Sequence, residues 1–210
     1  MLWGGADGGL ELRAARDGSR RLKGRFPYNK RAVLSDGGRK GRPRKEVMAS
    51  RAFAYRVEDP KADIHLLVGH SYDRPLASRG AGTLLLSDSD AALTFEAIIT
   101  PEMLGVTYVQ DFLAGFTAGL IMGISPGFRI PPERTVPDAE KVEEEDPAEG
   151  MALIRTIFQA LLYELSAVTV PAYPEAQIEA RNWTPAEPGK LIIPESPEAG
   201  LQRSLNRWRP

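Results

Sequence analysis

Apolar and polar residues alternate most regularly over residues 62–70. There Ile64, Leu66, Val68 and His70 fall on one side of an extended chain, and His65 and Leu67 on the other. This predicts a strand, with a turn at Asp73-Arg74-Pro75. Residues 82–86 and 92–99 read as two more strands, parted by the polar run Ser87-Asp88-Ser89-Asp90. The period then changes. Val109, Phe112, Leu113, Phe116 and Leu120 recur at helical spacing, after helix-start signals at Thr100-Pro101-Glu102 and at Thr107 with Gln110 three residues on. That helix is expected to run to Met122, with Gly115, Gly119 and Gly123 forming a bare ridge along it. Extended character returns at residues 128–130 and stops at Pro131-Pro132. Residues 151–170 are strongly apolar. Their end, Val168-Thr169-Val170, reads as strand, and their beginning suits strand or helix equally.

This pattern sets the domain organisation. Residues 1–20 read as a flexible N-terminal arm, residues 21–180 as one folded domain, and residues 181–210 as a flexible tail rich in proline and charge. Within the domain, residues 22–34 begin the fold, 35–45 form a glycine-rich basic loop, and 47–56 include a short helix. Residues 133–150 form an acidic excursion.

The net charge of −1 conceals an asymmetry. Residues 13–51 carry fourteen Lys or Arg against three acids, and residues 133–149 carry eight acids against two bases. Such blocks are usually solvated tails or loops. A basic arm could also meet an acidic protein partner. Nucleic acid is the less favoured partner, because aromatic interleaving and recognition motifs are missing. With no cysteine and two histidines, thiolate or histidine-rich metal sites, disulfides and a cysteine nucleophile are excluded, and no cofactor is expected. No apolar run reaches membrane-spanning length, and the first residues do not read as a secretory signal, so no membrane and a cytoplasmic location are expected.

One motif invites chemistry. Gly123-Ile124-Ser125-Pro126-Gly127 spells G-x-S-x-G, the pattern of the α/β-hydrolase nucleophile elbow. The elbow needs a strand before the serine and a helix after it, whereas here the order is reversed. It also uses the N–H of the residue after the serine, and Pro126 has none. No histidine follows Ser125 either. If Ser125 is a nucleophile, its base lies upstream. Both His65 and His70 are available. His70 is preferred because it ends the strand at the lip of a turn, while ordinary strand residues remain the plain alternative for both. Asp73, three residues on, can orient His70 or cap the turn. Without an N–H at Pro126, backbone N–H groups around residues 127–129 or later loops are the candidate oxyanion donors.

Three segments carry a resemblance. Residues 64–76, IHLLVGHSYDRPL, resemble the histidine segment of the phage prohead (capsid maturation) serine proteases. Residues 119–128, GLIMGISPGF, resemble their serine segment, and residues 162–172, LYELSAVTVPA, their third signature. The order matches that family over about residues 20–180, with departures at Pro126 and Ala77. The resemblance implies an α+β, mainly β fold: an orthogonally packed β-barrel with surrounding helices, like the herpesvirus assembly proteases (assemblin). It implies Ser125 as nucleophile, His70 as general base and Glu164 as the acid of a serine endopeptidase triad, with Glu164 favoured over Asp73. It also implies action inside the assembling prohead in the host cytoplasm, on capsid or scaffold protein and on the chain itself, with self-association open. The competing reading is an inactive structural or scaffolding protein of the prohead.

Overall fold

The structure, a computed structural model, describes residues 10–38 and 41–171; the tail at 181–210 lies outside them. Among the described residues the protein is mainly β, with twelve strands in three four-stranded sheets and three helices. None of the sheets closes into a barrel. The first sheet has the order β1-β2-β8-β7, formed by β1 (Glu11–Ala14), β2 (Arg20–Pro27), β7 (Leu84–Asp88) and β8 (Ala92–Ile99). The second, β10-β11-β4-β3, holds β3 (Arg31–Ser35), β4 (Arg44–Met48), β10 (Glu140–Glu144) and β11 (Leu153–Ile157). The third, β6-β5-β12-β9, holds β5 (His65–Val68), β6 (Ser71–Ser78), β9 (Gly123–Arg129) and β12 (Leu161–Val168). Within residues 1–20, Leu10 is buried and β1 pairs with β2.

The core forms between the first and third sheets. Both edge strands of the third sheet approach inner strands of the first, β9 beside β2 and β6 beside β8. Leu22, Phe26, Leu93, Phe95 and Ala97 face Leu66, Ile124, Leu162, Leu165 and Ala167 in one apolar cluster. Phe53 contacts Phe26 and Phe128 at ring-centroid separations of 5.9 Å each. Such tilted and edge-on pairs add about 0.5–1.5 kcal/mol beyond area burial. Phe128, which follows Gly127 in the serine segment, thus anchors the core face of β9.

The helices are short. Pro101 opens α2 (Pro101–Leu104), as its sequence signal predicts. Thr107 is the first helical residue of α3 (Thr107–Thr117) rather than its cap, and the Gln110 amide donates to the Leu104 carbonyl, so no capping box forms. The helix also stops a turn early. Gly119 adopts φ +71°, and the N–H groups of Gly119 and Leu120 bond the carbonyls of Phe116 and Gly115, a Schellman ending. The three glycines therefore share no ridge. Gly115 lies against Ile121, Gly119 terminates the helix, and Gly123 starts β9 beside Pro171. The Tyr108 hydroxyl donates to the Pro75 carbonyl at 2.7 Å and ties α3 to β6.

The two charge blocks meet each other in the second sheet. Arg31 pairs with Glu149 and Glu145, Arg42 with Glu144, and Lys45 with Glu145. Counting Arg13, Arg21, Lys23 and Arg51 as well, seven of the twelve bases described in residues 13–51 are ion-paired among the described residues, so much of that basic character is internally compensated. Glu145 is the buried member, and its carboxylate also accepts the Ala152 N–H at 3.1 Å. The Lys45 hydrogen bond holds the Glu145 carboxyl below its ordinary value, against the opposing effect of burial. A depressed carboxyl stabilises the fold above its unfolded-state range, and the contribution is lost as pH falls through the folded one. Hydrogen exchange at the β10 amides, corrected for intrinsic rates, is therefore expected to quicken on acidification across the carboxylate range. Glu145→Gln should flatten that dependence, and an equal pH response in both chains would exclude Glu145 as its source.

Candidate active site

The site lies on the face of the third sheet away from the core. Along β9, Ile124, Pro126 and Phe128 alternate with Ser125, Gly127 and Arg129. Ile124 belongs to the core cluster and Phe128 packs on it, so Ser125, Gly127 and Arg129 share the opposite face. β12 pairs antiparallel with β9, setting Ser125 opposite Ser166 and Gly127 opposite Glu164. Directly opposed Cα atoms are about 4.5–5.5 Å apart. β5 runs parallel on the other side of β12, with His65 in register with Glu164.

The chain reverses at Gly69-His70 rather than at the expected Asp73-Arg74-Pro75. Val68 pairs with Ser71, so the hairpin loop has two residues. Gly69 has φ +62° and His70 φ +60°, the positive pair that a type I′ turn requires. Histidine is one of the side-chain residues enriched in this region. Residues 72–74 then form a bulge, since Leu67 pairs with Pro75 next. Strand alternation had placed His70 beside Ile64, Leu66 and Val68. Because it is a turn residue, its ring instead reaches the Glu164 carboxylate on the far face.

The resulting polar cluster is tight. His70 Nδ1 lies 2.7 Å from Glu164 Oε1. The Ser166 hydroxyl donates to Glu164 Oε2 at 2.7 Å and accepts the His70 backbone N–H at 2.9 Å. Glu164 is 4% exposed and Ser166 0%, whereas the His70 side chain is 46% exposed. A buried carboxylate is tolerated when both oxygens are bonded, which answers the cost that an apolar strand imposes on an acid. As a carboxylate, Glu164 accepts from both neighbours. Nδ1 then carries the ring proton, and Nε2 keeps its lone pair. Gly127 makes room for this arrangement: a Cβ there would sit 2.6 Å from the Glu164 carboxyl carbon and closer still to Oε1.

The remaining candidates separate from this cluster. Asp73 is exposed in the β6 bulge, with no hydrogen bond or ion pair among the described residues. His65 Nε2 is 3.5 Å from Asp63 Oδ2, and its ring meets Tyr72 edge-on at 5.8 Å. Burial first, and the Glu164 charge next, raise the Tyr72 phenol, while Arg129 and Arg56 oppose the rise. Sequence reading missed Ser166, although it stands inside the LYELSAVTVPA segment, and a hydroxyl two residues from an acid on one strand face was the available signal. It also missed the Gly-His turn, signalled by glycine directly before histidine. Among the described residues no group of His, Cys, Asp or Glu is arranged to hold a metal ion, and no helix is long and apolar enough to cross a membrane. Ser166→Ala would leave the His70 N–H and one buried Glu164 oxygen without these partners. A loss of about 2 kcal/mol in unfolding stability is expected, readable by urea titration; an unchanged midpoint would refute the bridge.

A histidine fixed through Nδ1 by a buried carboxylate, beside a serine-bearing strand, is suited to proton transfer with a hydroxyl, the chemistry of serine hydrolases. Residues 34–188 match the family model described as Caudovirus prohead serine protease, and the chain belongs to that family. Comparisons with curated proteins and with solved structures gave no match. The family is one of phage capsid maturation proteases.

Proposed function

We propose that the chain is a serine endopeptidase with Ser125 as nucleophile, His70 as general base and Glu164 as orienting acid. The observation that carries this reading is the His70–Glu164 bond at 2.7 Å, set across the strand register from Ser125 by Ser166. In the proposed reaction His70 Nε2 accepts the Ser125 hydroxyl proton as Oγ attacks a peptide carbonyl. Glu164 stabilises the imidazolium so formed. The same imidazolium then protonates the leaving amine, and water hydrolyses the acyl-enzyme with His70 again as base. Pro126 offers no N–H, so other groups supply the oxyanion donors.

The proposed substrates are scaffold protein, scaffold-like segments of capsid subunits and the chain's own ends, cut within the assembling prohead in the host cytoplasm. Exposed chain ends are the usual sites of proteolysis. We also propose kinship with the herpesvirus assembly proteases, the facing first and third sheets corresponding to parts of an orthogonal barrel. Residues 181–210 are proposed as an arm outside the protease domain, and residues 10–20, with Leu10 buried and β1 paired to β2, as part of it. A fluorophosphonate probe, which reacts with activated serines, tests the reading. Labelling mapped to Ser125 and lost in His70→Ala supports it. Absence of labelling in the intact chain would favour the inactive structural protein.

A further inference from the structure

Two guanidinium groups stand on the same side of the sheet as Ser125. Arg129 follows Ser125 by four residues on the same face of β9. Its guanidinium lies 5.6 Å from the centre of the Tyr163 ring. Arg56, from α1 (Ala54–Glu58), lies 4.5 Å from the centre of that ring. Tyr163 is able to meet both because β12 bulges there: its pairing with β9 skips from Leu162 to Glu164, and a bulge redirects the extra side chain.

Neither arginine has an ion-pair partner among the described residues. The nearby carboxylates are engaged elsewhere. Glu164 is bonded to His70 and Ser166, and Asp63 accepts the Gly80 N–H at 2.8 Å while its other oxygen lies 3.5 Å from His65. Arg56 donates to the Asp63 backbone carbonyl at 3.0 Å, and its Nε is buried without a partner. The tyrosine ring holds the cations through its π face and leaves donors for an added group.

Four residues of strand span about 13 Å, the reach of three or four residues of an extended peptide lying along β9. We propose that Arg129 and Arg56 form a subsite for an Asp or Glu side chain, so that cleaved segments carry an acid within about four residues of the scissile bond. The proposal rests on Ser125 being the nucleophile.

The test digests a proteome-derived peptide library with the full chain and with Arg129→Glu, reading the cut sites by mass spectrometry. Fluorophosphonate labelling of Ser125 is followed in parallel. Enrichment of Asp or Glu at one position near the cut is expected, falling about tenfold in Arg129→Glu, where Lys or Arg should take over. Cuts without acidic enrichment, enrichment that survives Arg129→Glu, or no cuts from a chain whose Ser125 still labels would overturn the subsite and leave the nucleophile standing. Loss of both cuts and label from the unaltered chain would overturn both.

Discussion

A Ser125→Ala chain is expected to cut no substrate, with turnover lowered about a millionfold, and to melt where the parent does. The two halves of this result have separate causes. The serine oxygen is the atom that would become acylated, and no neighbour on β9 can replace it: Gly127 has no side chain and Pro126 faces the core. The fold should not notice the change. Among the described residues the Ser125 hydroxyl makes no hydrogen bond, and the His70–Glu164–Ser166 cluster is complete without it. A stability change within about 0.5 kcal/mol is the expectation for such a substitution. Cleavage assays on purified substrate chains, run beside a thermal melt, check both halves. Residual cleavage above a hundredth of the parent would remove Ser125 from its proposed role.

Gly127→Ala should be nearly as damaging, by another route. The backbone of Gly127 is in ordinary extended strand, so no left-handed conformation is at stake. The obstacle is the space a methyl group needs, which the Glu164 carboxylate occupies. Either the carboxylate leaves His70 and Ser166 or β9 moves away from β12. Overpacking of this kind costs about 1–3 kcal/mol, and a shift of about 1 Å in a reacting group can lower turnover about a hundredfold. The measurement that separates overlap from a general weakening of the strand is a double-mutant cycle with Glu164→Ala. The two changes should be strongly non-additive in stability, because removing the carboxylate also removes the clash. Additive losses would show that Gly127 matters for a reason other than Glu164.

Much of the fold was legible in the sequence wherever one rule sufficed. Alternation located β5 and β8, the Thr100-Pro101 signal opened α2, and the helix-before-strand order around Ser125 correctly removed the elbow. The misreadings occurred where two rules competed. At the end of α3, apolar spacing argued for continuing to Met122, but Gly119 in the left-handed region stopped the helix. At Asp73-Arg74-Pro75 the turn-forming composition was real, yet Gly69-His70 had already made the reversal and the later residues became a bulge. The charge blocks looked like free tails because pairing between residues a hundred positions apart is invisible to local pattern.

For the site, residue types were readable and their meeting was not. A place at the end of a strand favoured His70 over His65, and only resemblance favoured Glu164 over Asp73. What joins His70 to Glu164 is a two-residue turn and a parallel pairing of β5 with β12. Neither leaves a trace in spacing along the chain. Ser166 was given no role because a hydroxyl two residues from an acid is a weak signal until its two partners are known.

The parallel pairing of β5 with β12 has a temporal consequence. Its members are far apart in order of synthesis: His70 and Glu164 are separated by 94 positions, with the strand bearing Ser125 emerging between them. Translation therefore delivers His70 first, Ser125 second and Glu164 with Ser166 last, and His70 has neither of these β12 partners until that strand docks. A nascent chain that stops short of β12 lacks both side chains that hold His70, Glu164 and Ser166. Under the proposed roles, hydrolysis begins only when the last described strand docks, so a ribosome-bound chain short of β12 is expected to cut nothing.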